Sequence, residues 1–206
     1  MNRALSFAAA AALALVAGLS LAVPRGSAEE EASYVGPDAC KKCHFKEHRY
    51  WKKTGLAKRS FEVLKATTEE ADKDLFDKKK KAELDPAKDY SKDATCLACH
   101  TTGYGKKGGY PENPDADDAS KALAKDMASV SCEACHGAGS KYVQHKTDTM
   151  KENKDAKFTF EDLSEKGLVK PDEASCKTCH NEKNPNNAQD TFKYADAKGA
   201  VHSKKK

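Results

Sequence analysis

The sequence predicts a mainly α-helical chain with little strand and long loops, and three observations lead there. Alternating β-branched runs are absent, several segments carry apolar residues at helical spacing, and the pieces between them are rich in Gly, Pro and Asn. What such a fold usually needs is nearly missing. After residue 28 the chain holds 8 Leu, 6 Val, 6 Phe and no Ile, which is 20 of 178 residues. That share of about 11% belongs to a group whose scarcity below roughly 20% marks disorder. Either the chain is disordered, or something other than side chains fills its middle.

Taken in order, residues 1–28 have the parts of a secretory signal peptide. Arg3 is followed by the run ALSFAAAAALALVAGLSLAV, and Gly26 and Ala28 put small residues at the cleavage positions, so Glu29 is expected to begin the mature chain. No cysteine lies in or just after this segment, and nothing downstream reaches the ~20 apolar residues that cross a bilayer. The expectation is an exported, periplasmic, soluble protein without a membrane anchor, with residues 29–206 forming a single domain. Within it, His44 to Lys65 is expected to be one helix. Thr67 with Glu70 offers a capping box for a second, TEEADKDLFDKKKKAEL, that stops before Pro86. Asp118 to Ser129 is a third, and Glu161 to Lys166 a short fourth. TTGYGKKGGYPENP, GAGS and NEKNPNN read as loops.

The cysteines resolve the missing core. All eight occur as four CxxC pairs, each followed at once by histidine: CKKCH with Cys40, Cys43 and His44; CLACH with Cys96, Cys99 and His100; CEACH with Cys132, Cys135 and His136; CKTCH with Cys176, Cys179 and His180. This is the attachment pattern of c-type haem, in which two thiols bond one porphyrin and the next imidazole binds its iron. Structural zinc leaves the four histidines unexplained, disulfides do not require identical local pairs, and a redox dithiol needs one CxxC beside a βαβ pattern. Four covalently attached haem c groups supply the buried apolar surface, at about 25 cal/mol per Å² removed from water. The fold class becomes a haem-cored, mainly α multihaem cytochrome. The motif histidines are 56, 36 and 44 residues apart, so one domain is simpler than four repeated modules.

Charge excludes one class of partner. Setting aside Arg3 and Arg25, 34 basic residues face 32 acidic ones, and a chain of almost no net sign gives no support to nucleic-acid binding. The runs Lys78 to Lys81, Lys204 to Lys206 and PENPDADD read as solvated faces.

Ligand arithmetic is more informative. Four irons have eight axial positions, and the chain has seven histidines, the three outside the motifs being His48, His145 and His202. At least one iron therefore lacks a second histidine, and self-association does not change that ratio. Met127 and Met150 are the mature methionines, read as packing residues before ligands. HFKEH also spells a zinc-protease pattern, but His44 is already committed by CKKCH.

The stretches ELDPAKDYSKDATCLACHTTGYGKKGGY, CEACHGAG and WKKTGLAK, with TFKY before the last histidine, resemble the tetrahaem cytochrome c-554 family known from ammonia-oxidising bacteria. The resemblance implies a helical, haem-packed fold with closely stacked porphyrins. It further implies that His145 is the distal ligand of the first haem and His202 that of the third, while the haem on His100 keeps an open face. The fourth haem, on His180, would take a histidine from the position after WKKTG, where this chain has Leu56. His48 lies two turns earlier and is open to two roles: substitute ligand of the fourth haem, or a packing residue beside Trp51.

Two functions follow. The first is an extracytoplasmic electron carrier between redox partner proteins, with a multihaem oxidoreductase implied by the family as donor, the carrier being a monomer or weak homo-oligomer. The second is reduction of nitric oxide or another small nitrogen oxide at an open-face haem; NEKNPNNAQD is shorter here than in the ammonia-oxidiser protein and borders that question.

Overall fold

The structure is a computed structural model that describes residues 30–184, 192–197 and 201. Among them there are helices, turns and loops, and no strand. Contacts group the described residues from 31 onward into one unit. No described helix is long and apolar enough to cross a membrane.

The first helix, α1 (Pro37–Lys41), starts on Gly36, whose φ of 81° belongs to glycine, and has proline at its first turn, where a missing N–H costs nothing. The expected helix over 44–65 is three short ones: α2 (Phe45–Trp51), α3 (Gly55–Lys58) and α4 (Glu62–Lys65). The break has a local cause. Thr54 turns back on Trp51, giving its carbonyl both a backbone N–H at 2.8 Å and a hydroxyl at 2.7 Å, and Gly55 follows. The indole N–H of Trp51 then donates to the Val130 carbonyl at 2.9 Å, anchoring the break to a distant segment.

Helix α5 (Lys73–Lys81) begins later than the Thr67 signal indicates, because Asp72 caps it by accepting from the Leu75 amide at 3.1 Å. Arg59 decides the choice by pairing with both Asp72 (3.0 Å) and Asp74 (2.8 Å). Helix α6 (Ala94–His100) is capped by Asp93, and α7 (Asp118–Met127) by Asp117, close to the expected bounds. Next come α8 (Cys132–His136) and α9 (Ser140–Glu152), the latter a thirteen-residue helix. Helix α10 (Phe160–Ser164) carries a complete capping box between Thr159 and Asp162, and α11 (Glu173–Lys177) another between Asp172 and Ser175. Helix α12 spans Tyr194–Ala197.

The buried cluster is small and largely aromatic: Leu64, Tyr90, Leu97, Tyr110 and Met127, with Phe61 and Tyr104 against it. Met127, 2% exposed, is thus a packing residue. Buried charge completes the framework. Lys79 is 3% exposed, and its ammonium donates to the carbonyls of Lys88 (2.8 Å), Leu64 (3.2 Å) and Ala66. It ties α4 and α5 to the loop that leads into α6. On the other side, Tyr34 donates its amide to the Lys107 carbonyl at 2.9 Å. A side chain at Gly108 would collide with the Tyr34 carbonyl, and its φ of 76° also demands glycine, so the GKKGG loop is shaped to receive the segment before α1.

Candidate haem-binding site

Each CxxCH segment is one helical turn closed on its own first cysteine. In the first, His44 donates its amide to the Cys40 carbonyl at 2.9 Å, and in the fourth His180 does the same to Cys176 at 2.9 Å. The second motif lies wholly inside α6 and the third inside α8. A turn of 3.6 residues places positions i, i+3 and i+4 on one side, which is where two thioether bonds and one iron ligand on a single porphyrin must be.

The turns come together in pairs. The Cys40 and Cys132 thiols act on each other, which raises the pKa of Cys40 and lowers that of Cys132, and helix α1 packs on helix α8, so the first and third motifs are neighbours. The Cys99 and Cys179 thiols likewise act on each other, pushing Cys99 up and bringing Cys179 down to about 6. The second and third motifs are joined by hydroxyls. Thr102 donates to the Ser129 carbonyl at 2.5 Å, and its oxygen accepts the Ser131 amide at 2.9 Å.

Imidazole orientation is the test of whether these residues fit a haem. The Nδ1 of His100 faces the Ser60 carbonyl, and the Nδ1 of His136 faces the Val169 carbonyl at 3.1 Å. An Nδ1–H donated to a carbonyl leaves Nε2 with the lone pair that binds metal, a tautomer assigned from these partners. Burial lowers the pKa of His100 and keeps it neutral, as a ligand must be. His180 is held differently: its ring stacks on Phe192 with centroids 4.3 Å apart and planes 10° apart, and its buried Nδ1 has no hydrogen-bond partner among the described residues. Four sets of paired thiols with an imidazole one residue on fit haem c. By contrast, among the described residues no group of three or more His, Cys, Asp or Glu is arranged to hold a bare metal ion.

The remaining histidines are dispersed. His48 lies on the inner face of α2, 4% exposed, with its ring 5.4 Å from Trp51 and its Nε2 3.6 Å from an Asp38 oxygen. Burial first, then Lys52 and Lys41, lower its pKa, with Asp38 opposing. Leu56 is half-buried on α3, and its carbonyl accepts from the Val130 amide and the Ser60 hydroxyl. His145, on α9, stands edge-on to Phe158 at 6.1 Å and lines a cleft of about 360 Å³ with Thr149, Lys157 and Asp162. His202 lies outside the described residues.

Residues without a sequence signal complete the site. Ser60 and Val169 act through backbone carbonyls, which no side-chain pattern announces. Glu133, between the two cysteines of the third motif, is 1% exposed. Its carboxylate accepts the amides of Gly139 (2.7 Å), Gly36 (2.8 Å) and Val35 (3.0 Å). Burial raises its pKa and those three amides oppose the rise.

Comparison with known proteins agrees with this geometry. Residues 39–137 match the family model described as cytochrome c554 and c-prime. The chain is 35% identical over 175 residues to a cytochrome c-554 of Nitrosomonas europaea, an alignment covering 84% of this chain and 65% of that protein. The solved structure of the reduced state of cytochrome c554 from the same organism superposes with a TM-score of 0.62, at 31% identity over 82% of each chain.

Proposed function

This chain belongs to the cytochrome c-554 family, and on that premise we propose that it is an exported tetrahaem c-type cytochrome that carries electrons between redox partner proteins. The observation that carries this reading is the CxxCH turn repeated four times in one chain. Haem c, when bound, supplies a one-electron iron couple whose potential the protein sets through ligands, hydrogen bonds and burial.

The chain's own residues have distinct tasks. Cys40 with Cys43, Cys96 with Cys99, Cys132 with Cys135 and Cys176 with Cys179 hold the four groups, and His44, His100, His136 and His180 bind their irons. The Ser60 and Val169 carbonyls fix two of those imidazoles. His145 and His202 would serve as the second protein ligands of the first and third haems. With Leu56 in place of the expected histidine, the fourth position falls to His48 or to no protein ligand. Partner docking draws support from the outer face of α2. There Lys46, Arg49 and Lys53 are exposed beside Tyr50, turned away from the buried His48 and Trp51, with Phe45 and Lys52 exposed about one turn before and after His48, and cations with aromatics favour an acidic surface.

A second reading, reduction of nitric oxide or a similar small nitrogen oxide at the haem on His100, is favoured by the count of seven histidines for eight axial positions. Electron paramagnetic resonance of the oxidised holoprotein, with and without nitric oxide, separates the two. All-low-spin iron with no nitric oxide adduct removes the enzyme; turnover with nitric oxide demotes the carrier. In the same spectrum, His48→Ala converts one low-spin haem to high-spin if His48 is a ligand and changes nothing if it packs.

A further inference from the structure

We propose that Glu133 sets the reduction potentials of the haems on the first and third motifs, through an ionised carboxylate buried between those two motifs. The inference rests on haem attachment at these motifs and adds a residue to the machinery that tunes them.

The carboxylate is built in, not incidental. At 1% exposure it accepts three amides from two directions, Val35 and Gly36 ahead of α1 and Gly139 ahead of α9. A Cβ at Gly139 would lie 2.8 Å from its Oε1, so the turn is shaped around it. No cation pairs with it among the described residues: its charge is met by backbone dipoles alone, and the negative charge is not cancelled. Its position is shared by two motifs. Gly36 starts the helix that carries Cys40, Glu133 directly follows Cys132, and helices α1 and α8, which carry those cysteines, pack on one another. The field of Glu133 acts on both of those sulfurs.

An uncancelled anion in a low-dielectric interior stabilises the more positive state of a nearby redox centre. Ferric iron is that state, so the charge lowers the potential. A unit charge within about 10 Å, at an effective dielectric near 20, is worth roughly a tenfold change in the oxidised-to-reduced ratio. For a one-electron couple, tenfold is about 59 mV.

The test is Glu133→Gln in the full holoprotein, which keeps the shape and one acceptor oxygen and removes the charge. Haem content is read first, by intact mass and haemochromogen absorbance; fewer than four haems in the parent protein would refute tetrahaem attachment without bearing on Glu133. The four midpoints are then resolved by spectroelectrochemical titration, with resonance spectra assigning each haem. Two midpoints, those of the first and third haems, should rise by about tenfold in ratio, while the other two stay in place. Four unchanged midpoints, or an equal shift of all four, overturn the proposal. Where E133Q does not mature, Glu133→Asp keeps the charge and lengthens the amide contacts. It should lower the unfolding midpoint while leaving the potentials of the first and third haems near the parent's; potentials that fall or rise with the lost stability overturn it.

Discussion

Replacing Lys79 by methionine keeps the aliphatic stem and removes the charge and its donors. In the folded chain the ammonium is 3% exposed and serves the carbonyls of Leu64, Ala66 and Lys88, with Tyr90 5.3 Å below it. Removing the donor leaves the Ala66 and Lys88 carbonyls unpaired, at about 1–3 kcal/mol each, while the Leu64 carbonyl keeps the Tyr90 amide at 2.9 Å and the desolvation of a buried cation is relieved. The net expectation is a loss of about 2–4 kcal/mol, the two orphaned carbonyls less the relieved desolvation. At about 2–4 °C per kcal/mol for a chain of this size, the thermal midpoint falls by roughly 4–16 °C. Differential scanning calorimetry of the holoprotein reads it, with Lys80→Met as control. Lys80 is half-exposed, sits 3.9 Å from Asp77, and should matter by less than about 0.5 kcal/mol. The pH dependence has a definite sign. Burial lowers the Lys79 pKa, so the unfolded chain binds that proton more tightly, and parental stability rises as pH climbs through the lowered pKa towards 10.5. K79M should lack that rise. A variant that melts within 1 °C of the parent, as an order-of-magnitude threshold, would sink the view of Lys79 as a clamp.

Three further outcomes are expected. Trp51→Phe keeps most of the packing but orphans the Val130 carbonyl, and should shift the urea midpoint by the equivalent of about 1–2 kcal/mol without changing the number of attached haems. A chain with all eight cysteines changed to serine, made without haem, should show no cooperative thermal transition, because its buried apolar set is too small; a sharp transition in calorimetry contradicts that. Asp117 and Asp172, whose pKa values are lowered by hydrogen bonds from Ser120 and Ser175, stabilise their helix starts above the ordinary carboxylate range. That contribution is lost as pH falls through their lowered values, so the protection of the Ser120 and Ser175 amides, relative to their intrinsic exchange rates, should fall in acid in the parent, and less steeply in Asp117→Asn and Asp172→Asn.

The CxxCH turns were legible because they are local: two thiols and an imidazole within five residues need no knowledge of the fold. Helix ends were less so, for reasons the contacts supply. Thr67 and Asp72 both look like caps, and Arg59, thirteen residues upstream of Asp72, selects the second. His44 to Lys65 has helical spacing throughout, yet Trp51 prefers the Val130 carbonyl to a straight helix. Helix α9 escaped notice because SKYVQHKTDTMKE buries one residue, Tyr142, and leaves too thin an apolar stripe to read. The pairing of motifs was wholly illegible, since identical CxxCH turns carry no address. Nor do the carbonyls of Ser60 and Val169, which orient two imidazoles, leave any trace in side-chain pattern.

The two buried charges explain how so few aliphatic side chains position four turns. Lys79 gathers carbonyls, and Glu133 gathers amides. Each fastens a loop of about the same kind, one leading into the second motif and one on either side of the first and third. A loop without apolar residues cannot be held by burial, but its backbone still offers a donor and an acceptor per residue. A single ionised side chain that meets three of them binds more strongly than neutral pairs would, and it fixes direction as well as distance. The sequence disguises both devices: Lys79 sits in the run KKKK, where solvation is the ordinary reading, and Glu133 occupies a variable place inside CEACH. A chain that leaves its centre to a prosthetic group can thus spend its charges inside, where each one holds backbone and, beside a redox site, also sets a field.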